Sequence, residues 1–340
     1  MKEVTRTFIN TPLAIGNRRI PSRLILAPMA GLTHVAFREL LDGFGGCGLM
    51  YTEMCTAKPL PNENRQVSTV FRWRDAELPR LVCQISGSNP AEMAAAARRV
   101  EAEGFFGVDL NFGCSVAAVC RKNSGAALLK VPDLAARIVD AVRRAVAIPL
   151  TVKFRTGWED RPELAVDLAR RFADAGADAL IFHPRVAPDR RSRPPKWNYI
   201  RLVKQAVTVP VFGNGEVFTE EDCERMIDAT GCDGVSLGRI AIARPWVFFE
   251  WGGGRIMDKE IYRTVMKQMM TLLSAHYAPV TAVRKFKKMA VYHAAVFRFG
   301  HAFFKTIFRA ADAPAIMAAI DAFFDKDPEL SGWPNLNLFC

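Results

Sequence analysis

Short apolar segments recur through the first 238 residues of the chain, with helical stretches between most of them. The apolar segments are residues 24–28, 49–53, 81–85, 107–111, 150–154, 179–183, 211–213 and 234–238. The helical stretches are residues 90–103, 133–147, 162–175, 197–207 and 219–230. Strands that alternate with helices of this length pair in parallel. Eight such units favour an α/β fold of the (β/α)8 TIM-barrel type, and an open doubly wound sheet is the alternative.

The pattern changes after Trp246, where the strand-like segments stop. Residues 256–325 have the spacing of amphipathic helices, with Gly300 as a break. The predicted buried stripe of these helices consists of Phe286, Ala290, Phe297, His301, Phe304 and Phe308. We therefore predict a barrel domain over residues 1–248 and a helical domain over residues 249–340.

The charge of the chain is concentrated in this second part. The formal net charge is +11, and residues 255–310 hold eleven Lys or Arg against two acidic residues. Arg284, Lys285, Lys287 and Lys288 form the densest basic cluster. A basic surface of this kind indicates a polyanionic partner, most often a nucleic acid, and a solvated helix face is the alternative.

The ends of the predicted strands carry residues that are unusual in a core. In chain order they are Met29, Glu53, Gln84, Asn111 with Cys114, Lys153, His183 with Arg185, Asn214 with Glu216, and Gly238 with Arg239. Active sites of TIM barrels lie at the carboxyl ends of the strands. We therefore predict that this ring of residues forms the active site.

Three of these residues allow both a chemical and a structural interpretation. Cys114 presents a thiol just beyond a strand, or it is a small buried residue beside a turn. Lys153 can form a Schiff base or hold a negative charge on a bound group, or it pairs with Asp109 or Glu53. His183 lines the site, or it packs or caps like most single histidines.

The last two predicted strands indicate a phosphate-bearing cofactor. Residues 213–215 read Gly-Asn-Gly, and Gly238 is followed by Arg239. These two loops supply backbone amides and a guanidinium where TIM barrels commonly bind phosphate. Two ordinary glycine turns are the alternative for either loop alone.

The cysteines and the hydropathy pattern indicate which cellular compartment and which metal content to expect. Eight cysteines are spread without Cys-x-x-Cys or Cys/His ligand spacing, which predicts reduced thiols and no metal site. The sequence has no run of eighteen or more apolar residues, so a membrane-spanning helix is not expected. No apolar segment directly follows the charged residues at positions 2–6, so a signal peptide is not expected either. We expect a cytoplasmic protein that does not bind membranes, and we expect a monomer.

Eight motifs in this order resemble those of the tRNA-dihydrouridine synthases. They are APMAGLT at 27–33, TEM at 52–54, DLNFGC at 109–114, GAALL at 125–129, VKFRTGW at 152–158, HPR at 183–185, GNGE at 213–216 and GR at 238–239. The helical tail resembles the RNA-binding domain of that family more loosely. The resemblance implies an FMN enzyme that reduces selected uridines of tRNA to 5,6-dihydrouridine, with NADPH as the reductant of the flavin.

The resemblance also implies roles for single residues. Cys114 is the acid that protonates C5 of the uracil, while hydride arrives at C6. The cofactor-binding residues are Pro28, Met29, Ala30, Gln84, Lys153, His183, Asn214, Gly215, Glu216, Gly238 and Arg239. The substrate-binding residues are Glu53, Asn111, Arg185, Arg284, Lys285, Lys287 and Lys288. A uridine in folded RNA must be extruded to reach such a site.

The sequence also allows two other functions and a second contact with RNA. An FMN-dependent TIM-barrel oxidoreductase for a small molecule, of the dihydroorotate or enoate type, shares the phosphate site and Lys153. A non-catalytic RNA-binding protein shares the basic tail. Arg190, Arg191, Arg193 and Lys196 follow the sixth strand and give either a second RNA contact or a solvated loop.

Overall fold

The computed structural model describes residues 1–189, 193–255 and 259–338. Its strands are β1 (Leu13–Ile15), β2 (Arg18–Ile20), β3 (Leu24–Leu26), β4 (Met50–Tyr51), β5 (Cys55–Thr56), β6 (Leu81–Ser86), β7 (Gly107–Phe112), β8 (Leu150–Gly157), β9 (Ala179–Val186), β10 (Val211–Asn214) and β11 (Gly234–Leu237). All eight predicted strands are present among them, with ends that shift by a few residues. β5 pairs with β6 beyond the short β4.

The strands β3, β4 and β6–β11 form a parallel barrel. Their order is β3-β11-β10-β9-β8-β7-β6-β4, and a parallel bridge between Ile25 and Leu49 joins the two ends. The amide of Leu26 donates to the carbonyl of Leu49 at 2.9 Å across this junction. The predicted (β/α)8 barrel is confirmed, and the open sheet was the wrong alternative.

Helices follow most strands, as a parallel sheet requires. They are α1 (Glu3–Ile9), α2 (Val35–Asp42), α3 (Pro90–Ala102), α4 (Ala117–Cys120), α5 (Pro132–Arg143), α6 (Pro162–Asp174), α7 (Asn198–Ala206), α8 (Glu220–Thr230), α9 (Arg239–Ala243), α10 (Val247–Trp251), α11 (Ile261–His276), α12 (Pro279–Ala294), α13 (Gly300–Arg309) and α14 (Ala313–Phe324). Three short 3₁₀ helices cover Leu60–Asn62, Asp75–Arg80 and Gly125–Lys130.

Alternation along the strands separates the polar interior of the barrel mouth from the helix-facing surface. In β7 and β8, Phe112 and Phe154 pack on Phe172 of α6, each with ring centroids 5.4 Å apart. Asp109 and Thr151 therefore point to the opposite face, because successive side chains of a strand alternate. The same alternation places Asn111 and Lys153 inside the barrel.

The N-terminal hairpin of β1 and β2 was not predicted from the sequence. Its two strands are antiparallel, and Ile15 and Ile20 are fully buried. Both belong to a core cluster with early strand residues such as Val82 and Ala179. The first residues of these strands thus supply apolar side chains to the core.

The described chain divides into two compact units. The first unit consists of Met1–Pro28 and Cys47–Leu237, and the second consists of Met29–Gly46 and Gly238–Cys340. Residues 29–46, which contain α2, therefore group with the C-terminal helices. The division of catalysis and RNA binding at residue 248 stays a prediction.

The second unit corrects part of the predicted buried stripe. Phe286, Ala290 and Phe297 are buried, but His301 is exposed and Phe308 is 64% exposed. The buried apolar side chains of α13 are instead Phe303 and Ile307, and Phe304 is only half-buried. The reason is that α13 begins only at Gly300, after Phe299 in a left-handed conformation, so the phase of the apolar face is reset. None of the described helices is both long and apolar enough to cross a membrane.

Candidate active site

A chain of hydrogen bonds joins the polar residues of β6, β7 and β8. Thr151 donates to Oδ1 of Asp109 at 2.6 Å, and Gln84 donates from Nε2 to Oδ2 of Asp109 at 2.7 Å. The Oε1 atom of Gln84 in turn accepts from Nδ2 of Asn111 at 2.8 Å. Asp109 therefore fixes which way the Gln84 amide faces, and Gln84 fixes the amide of Asn111.

The end of this chain holds the loop that carries Cys114. Oδ1 of Asn111 accepts from the backbone amides of Gly113 and Cys114, at 3.2 and 2.9 Å. Nε of Arg155 donates to the carbonyl of Gly113 at 2.8 Å. These bonds connect the buried carboxylate of Asp109 to the position of the Cys114 backbone.

The segment that follows closes over the other side of Cys114. Gly125 has a φ of +62°, and a Cβ atom there would lie 2.5 Å from the carbonyl oxygen of Cys114. This close approach and the left-handed backbone both require glycine. The amide of Ala126 donates to the same carbonyl at 2.9 Å, and Cys114 stays half-buried.

Lys153 lies inside the barrel and is held by an amide. Its Nζ donates to Oδ1 of Asn214 at 3.2 Å, and Nδ2 of Asn214 donates to the carbonyl of Ser236 at 2.8 Å. Within the described residues, no ion pair joins Lys153 to Asp109 or Glu53, so that alternative is not supported. Burial and the positive charge of Arg155 lower the pKa of Lys153 to about 8, against the opposing influence of Asp109 and Cys114.

Burial also shifts the pKa of Asp109, but in the opposite direction. Burial raises its pKa to about 7, although the hydrogen bonds from Thr151 and Gln84 and the charge of Lys153 lower it. Burial disfavours the charged form of either group. The barrel mouth thus holds an acid and a base that both titrate near neutrality.

The raised pKa of Asp109 predicts a pH dependence of stability. The folded protein binds a proton at Asp109 more tightly than the unfolded chain, so this group favours folding at low pH. Its contribution is lost as the pH rises from about 4 through about 7, and a shift of this size corresponds to about 4 kcal/mol. Asp109→Asn keeps an acceptor for Gln84 and should abolish this dependence. The measurement is urea unfolding at about pH 5 and about pH 8.

The matched control for this prediction is Asp140→Asn, which removes an exposed carboxylate paired with Arg144 on α5. This variant should keep the pH dependence of the wild type. If Asp109→Asn also kept it, the protonation of Asp109 in the folded state would be refuted.

The loop after β10 packs against β9. Gly215 has a φ of +122°, and a Cβ atom there would lie 2.9 Å from the ring of His183. Nε1 of Trp197 donates to the carbonyl of Gly215 at 2.9 Å. Glu216, also in the left-handed region, forms an ion pair with Arg185. The structure thus brings together four of the residues predicted at the end of the sixth and seventh strands.

The remaining predicted residues of the ring fall into two groups. Glu53 is buried after β4 in the first unit, and Pro28 is the last residue of the first segment of that unit. Met29, Ala30, Gly238 and Arg239 belong to the second unit, where Arg239 begins α9. The role of every one of these residues stays a prediction.

The basic cluster lies on α12 in the second unit. Nζ of Lys288 donates to the carbonyl of Ala30 at 2.6 Å, and Nζ of Lys285 lies 4.8 Å from the ring centroid of Tyr277. Arg284 is exposed and Lys287 is half-buried. In the predicted second basic segment, Lys196 pairs with Asp160, while Arg190 and Arg191 lie outside the described residues.

Several residues that support the site through hydrogen bonds were not predicted from the sequence. Thr151, Arg155, Trp197 and the anchoring role of Asp109 are the clearest examples. The available signal was polarity at alternate positions of β7 and β8, because 109, 111, 151, 153 and 155 share one face. Among the described residues, no group of three or more His, Cys, Asp or Glu side chains could hold a metal ion.

Comparisons with known proteins agree with this fold and these motifs. A profile of the family described as dihydrouridine synthase (Dus) matches residues 25–314. The tRNA-dihydrouridine synthase B of Pseudomonas aeruginosa is 34% identical over 317 residues, which cover 91% of this chain and 95% of that relative. The protein of the same name from Klebsiella pneumoniae is 39% identical over 238 residues, which cover 70% of this chain and 74% of that relative.

Solved structures share the fold at much lower identity. Histamine dehydrogenase from Rhizobium sp. 4-9 superposes with a TM-score of 0.57 at 14% identity, over 79% of this chain and 51% of that one. A structure described as TcOYE with pHBA gives 0.51 at 11% identity, over 72% of this chain and 92% of that one. These two likenesses concern the fold alone. Together, the profile and the relatives above 30% identity establish that the chain belongs to the dihydrouridine synthase family.

Proposed function

We propose that the protein reduces specific uridines of tRNA to 5,6-dihydrouridine, with FMN as the cofactor and NADPH as its reductant. Family membership supports the reaction class and favours it over a small-molecule reductase or a non-catalytic RNA-binding protein. The observation that carries the proposal is the pair of half-buried groups, Cys114 and Lys153, which hydrogen-bonded amides hold on neighbouring strands, Cys114 just after β7 and Lys153 within β8. A monomeric state and a cytoplasmic location are parts of the same proposal.

The donor set of the barrel fits a flavin. Lys153 is a cation whose hydrogen-bond partner is a neutral amide, Asn214, rather than a carboxylate. A cation that is not bonded to a carboxylate can stabilise negative charge on a bound ring. Gln84 and His183 lie on the strands on either side of β7 and β8. We propose that these four residues bind the isoalloxazine ring, and that Gly215 and Gly238 with Arg239 bind the phosphate.

Bound FMN would supply the hydride for C6 of the uracil. The second hydrogen of the product, at C5, must arrive as a proton from an acid of the protein. Cys114 can provide it, because the S–H group of a cysteine is a proton donor. When the thiol donates its proton to C5, the C5–C6 double bond becomes a single bond and a thiolate remains. Water then reprotonates the thiolate, which restores the acid.

The hydrogen-bonded chain from Asp109 gives this acid its position. The carboxylate orients Gln84, Gln84 orients Asn111, and Asn111 holds the amides of Gly113 and Cys114. We assign Asn111 to contact with the uracil, together with Glu53 and Arg185. General acid catalysis depends on such placement, because a displaced donor loses most of its effect.

The cofactor assignment predicts a yellow protein. Purified protein, or protein reconstituted with FMN, should absorb near about 450 nm, and NADPH should bleach this band. Absence of the band after reconstitution with FMN would contradict every flavin-dependent function. Bleaching by NADH but not by NADPH would contradict only the choice of reductant.

A further inference from the structure

A groove on the second unit has an apolar floor and a basic rim. It runs between α12 and α13, has a volume of about 670 Å³, and is lined by Val283, Tyr292, Phe304 and Phe308 among others. The rings of Phe304 and Phe308 lie with centroids 5.9 Å apart, and Phe308 is 64% exposed. Contiguous exposed apolar surface makes this groove a candidate binding surface, and the charges around it decide what it can bind.

The charges around the groove have one sign. Arg284, Lys287 and Lys288 line it, and no carboxylate is found among its described lining residues. Arg284, Lys287 and Lys288 are spaced i, i+3 and i+4, so they share one face of α12. Nζ of Lys287 lies 5.7 Å from the ring centroid of Phe308. The cations and the exposed ring are therefore parts of one surface.

A second groove of the same unit differs in the charges of its lining residues. It is lined by Arg298, Phe299, Lys326, Asp327 and Glu329 among others, and thus mixes both signs of charge. Phe299 on its edge is 80% exposed. This second groove offers an exposed phenylalanine without a purely cationic rim, which makes it a natural control.

We infer that the groove between α12 and α13 binds an unpaired nucleotide of the RNA substrate, with the base stacked on the exposed ring of Phe308 and its edge against the tilted ring of Phe304. Arg284 and Lys287 then contact the flanking phosphates. An aromatic floor with a cationic rim recognises a flat ring that is linked to negatively charged groups. An unpaired nucleotide has both parts, because its base can stack on an aromatic side chain while its phosphates contact the cations. A paired base cannot enter, because both of its faces are already stacked. The inference rests on the proposed function, since RNA is the substrate there.

The test compares the binding of a single-stranded oligouridine and of a blunt RNA duplex of equal length. Phe308→Ala should weaken binding of the single strand by at least about fivefold and leave duplex binding unchanged. The salt dependence should also stay unchanged, because no cation is removed. Phe299→Ala, the matched control, should bind both RNAs like the wild type. Arg284→Gln with Lys287→Gln should reduce the salt slope by about 0.7 for each phosphate that no longer pairs with a cation.

Two results would overturn the inference. One is single-strand binding by Phe308→Ala that equals that of the wild type. The other is an equal loss for the single strand and the duplex, which would indicate a non-specific surface. The proposed function fails separately, through the absence of uridine reduction, because binding of these RNA probes requires neither flavin nor NADPH.

Discussion

Cys114→Ala is expected to reduce the rate of uridine reduction by about 10²–10⁴-fold, the usual effect of removing a general acid. Bound FMN and its reduction by NADPH should be unchanged, because the thiol acts only on C5 of the uracil. The measurement pairs two assays on the same sample. Flavin bleaching by NADPH reports the first half-reaction, and reoxidation of the reduced flavin by tRNA reports the second. The prediction is a loss confined to the second assay.

Cys120→Ala is the matched control for this experiment. Cys120 is also half-buried, and its Sγ lies 3.6 Å from the carbonyl oxygen of Cys114. Its removal should leave tRNA-dependent reoxidation close to that of the wild type. Wild-type reoxidation rates in Cys114→Ala would refute the acid role, and a strong loss in Cys120→Ala would show that the role had been assigned to the wrong cysteine.

Lys153→Met is expected to slow the reduction of bound flavin by NADPH by about 10²–10³-fold, the scale of losing one preorganised charge stabiliser. The reduced flavin ring carries negative charge, and an uncharged thioether side chain could not stabilise it. The wild-type rate should fall above about pH 8, where Lys153 loses its proton. Lys153→Met should lack this pH dependence. Rapid-mixing absorbance measurements over a pH series test both points.

Lys204→Met provides the control for removal of a lysine outside the barrel mouth. Lys204 lies on α7 and pairs with Asp233 at 2.7 Å. Its removal should leave the flavin reduction rate and its pH profile unchanged. An unaltered rate in Lys153→Met, with the same decline above about pH 8, would show that another group controls the flavin.

The barrel could be predicted because its strands are short apolar runs with helices between them. Each predicted run overlaps a strand of the barrel, and the ring of residues toward the carboxyl ends of the strands follows from parallel pairing. The N-terminal hairpin was not predicted because residues 13–20 contain an apolar run of only three residues, followed by Gly-Asn and two adjacent arginines. Its two buried isoleucines become part of the core only once the barrel exists.

The hydrogen-bonded chain could not be derived from the sequence in the same way. Gln84 and Asp109 are partners because β6 and β7 pair in a particular register. A shift of one residue would turn either side chain to the other face. The sequence identified Gln84, Asn111 and Cys114 as separate strand-end residues, but their connection through Asp109 depends on that register.

The exposed face of α13 shows where apolar spacing fails to predict which residues are buried. Apolar spacing carried from α12 predicted that Phe308 is buried, but the left-handed Phe299 ends that continuity. A single residue with positive φ changes which side chains of the next helix face the core. This change of phase leaves Phe308 exposed, and its ring lines the groove between α12 and α13.

The central claim is that this protein adds two hydrogen atoms to particular uridines of tRNA. The direct measurement incubates the purified protein, FMN and NADPH with unmodified tRNA and maps the products by mass spectrometry of the nuclease fragments. We expect one or a few uridines to become heavier by two hydrogen atoms, with no such change for Cys114→Ala or without NADPH. A flavin that NADPH reduces, together with tRNA whose uridines all keep their original mass, would contradict the account.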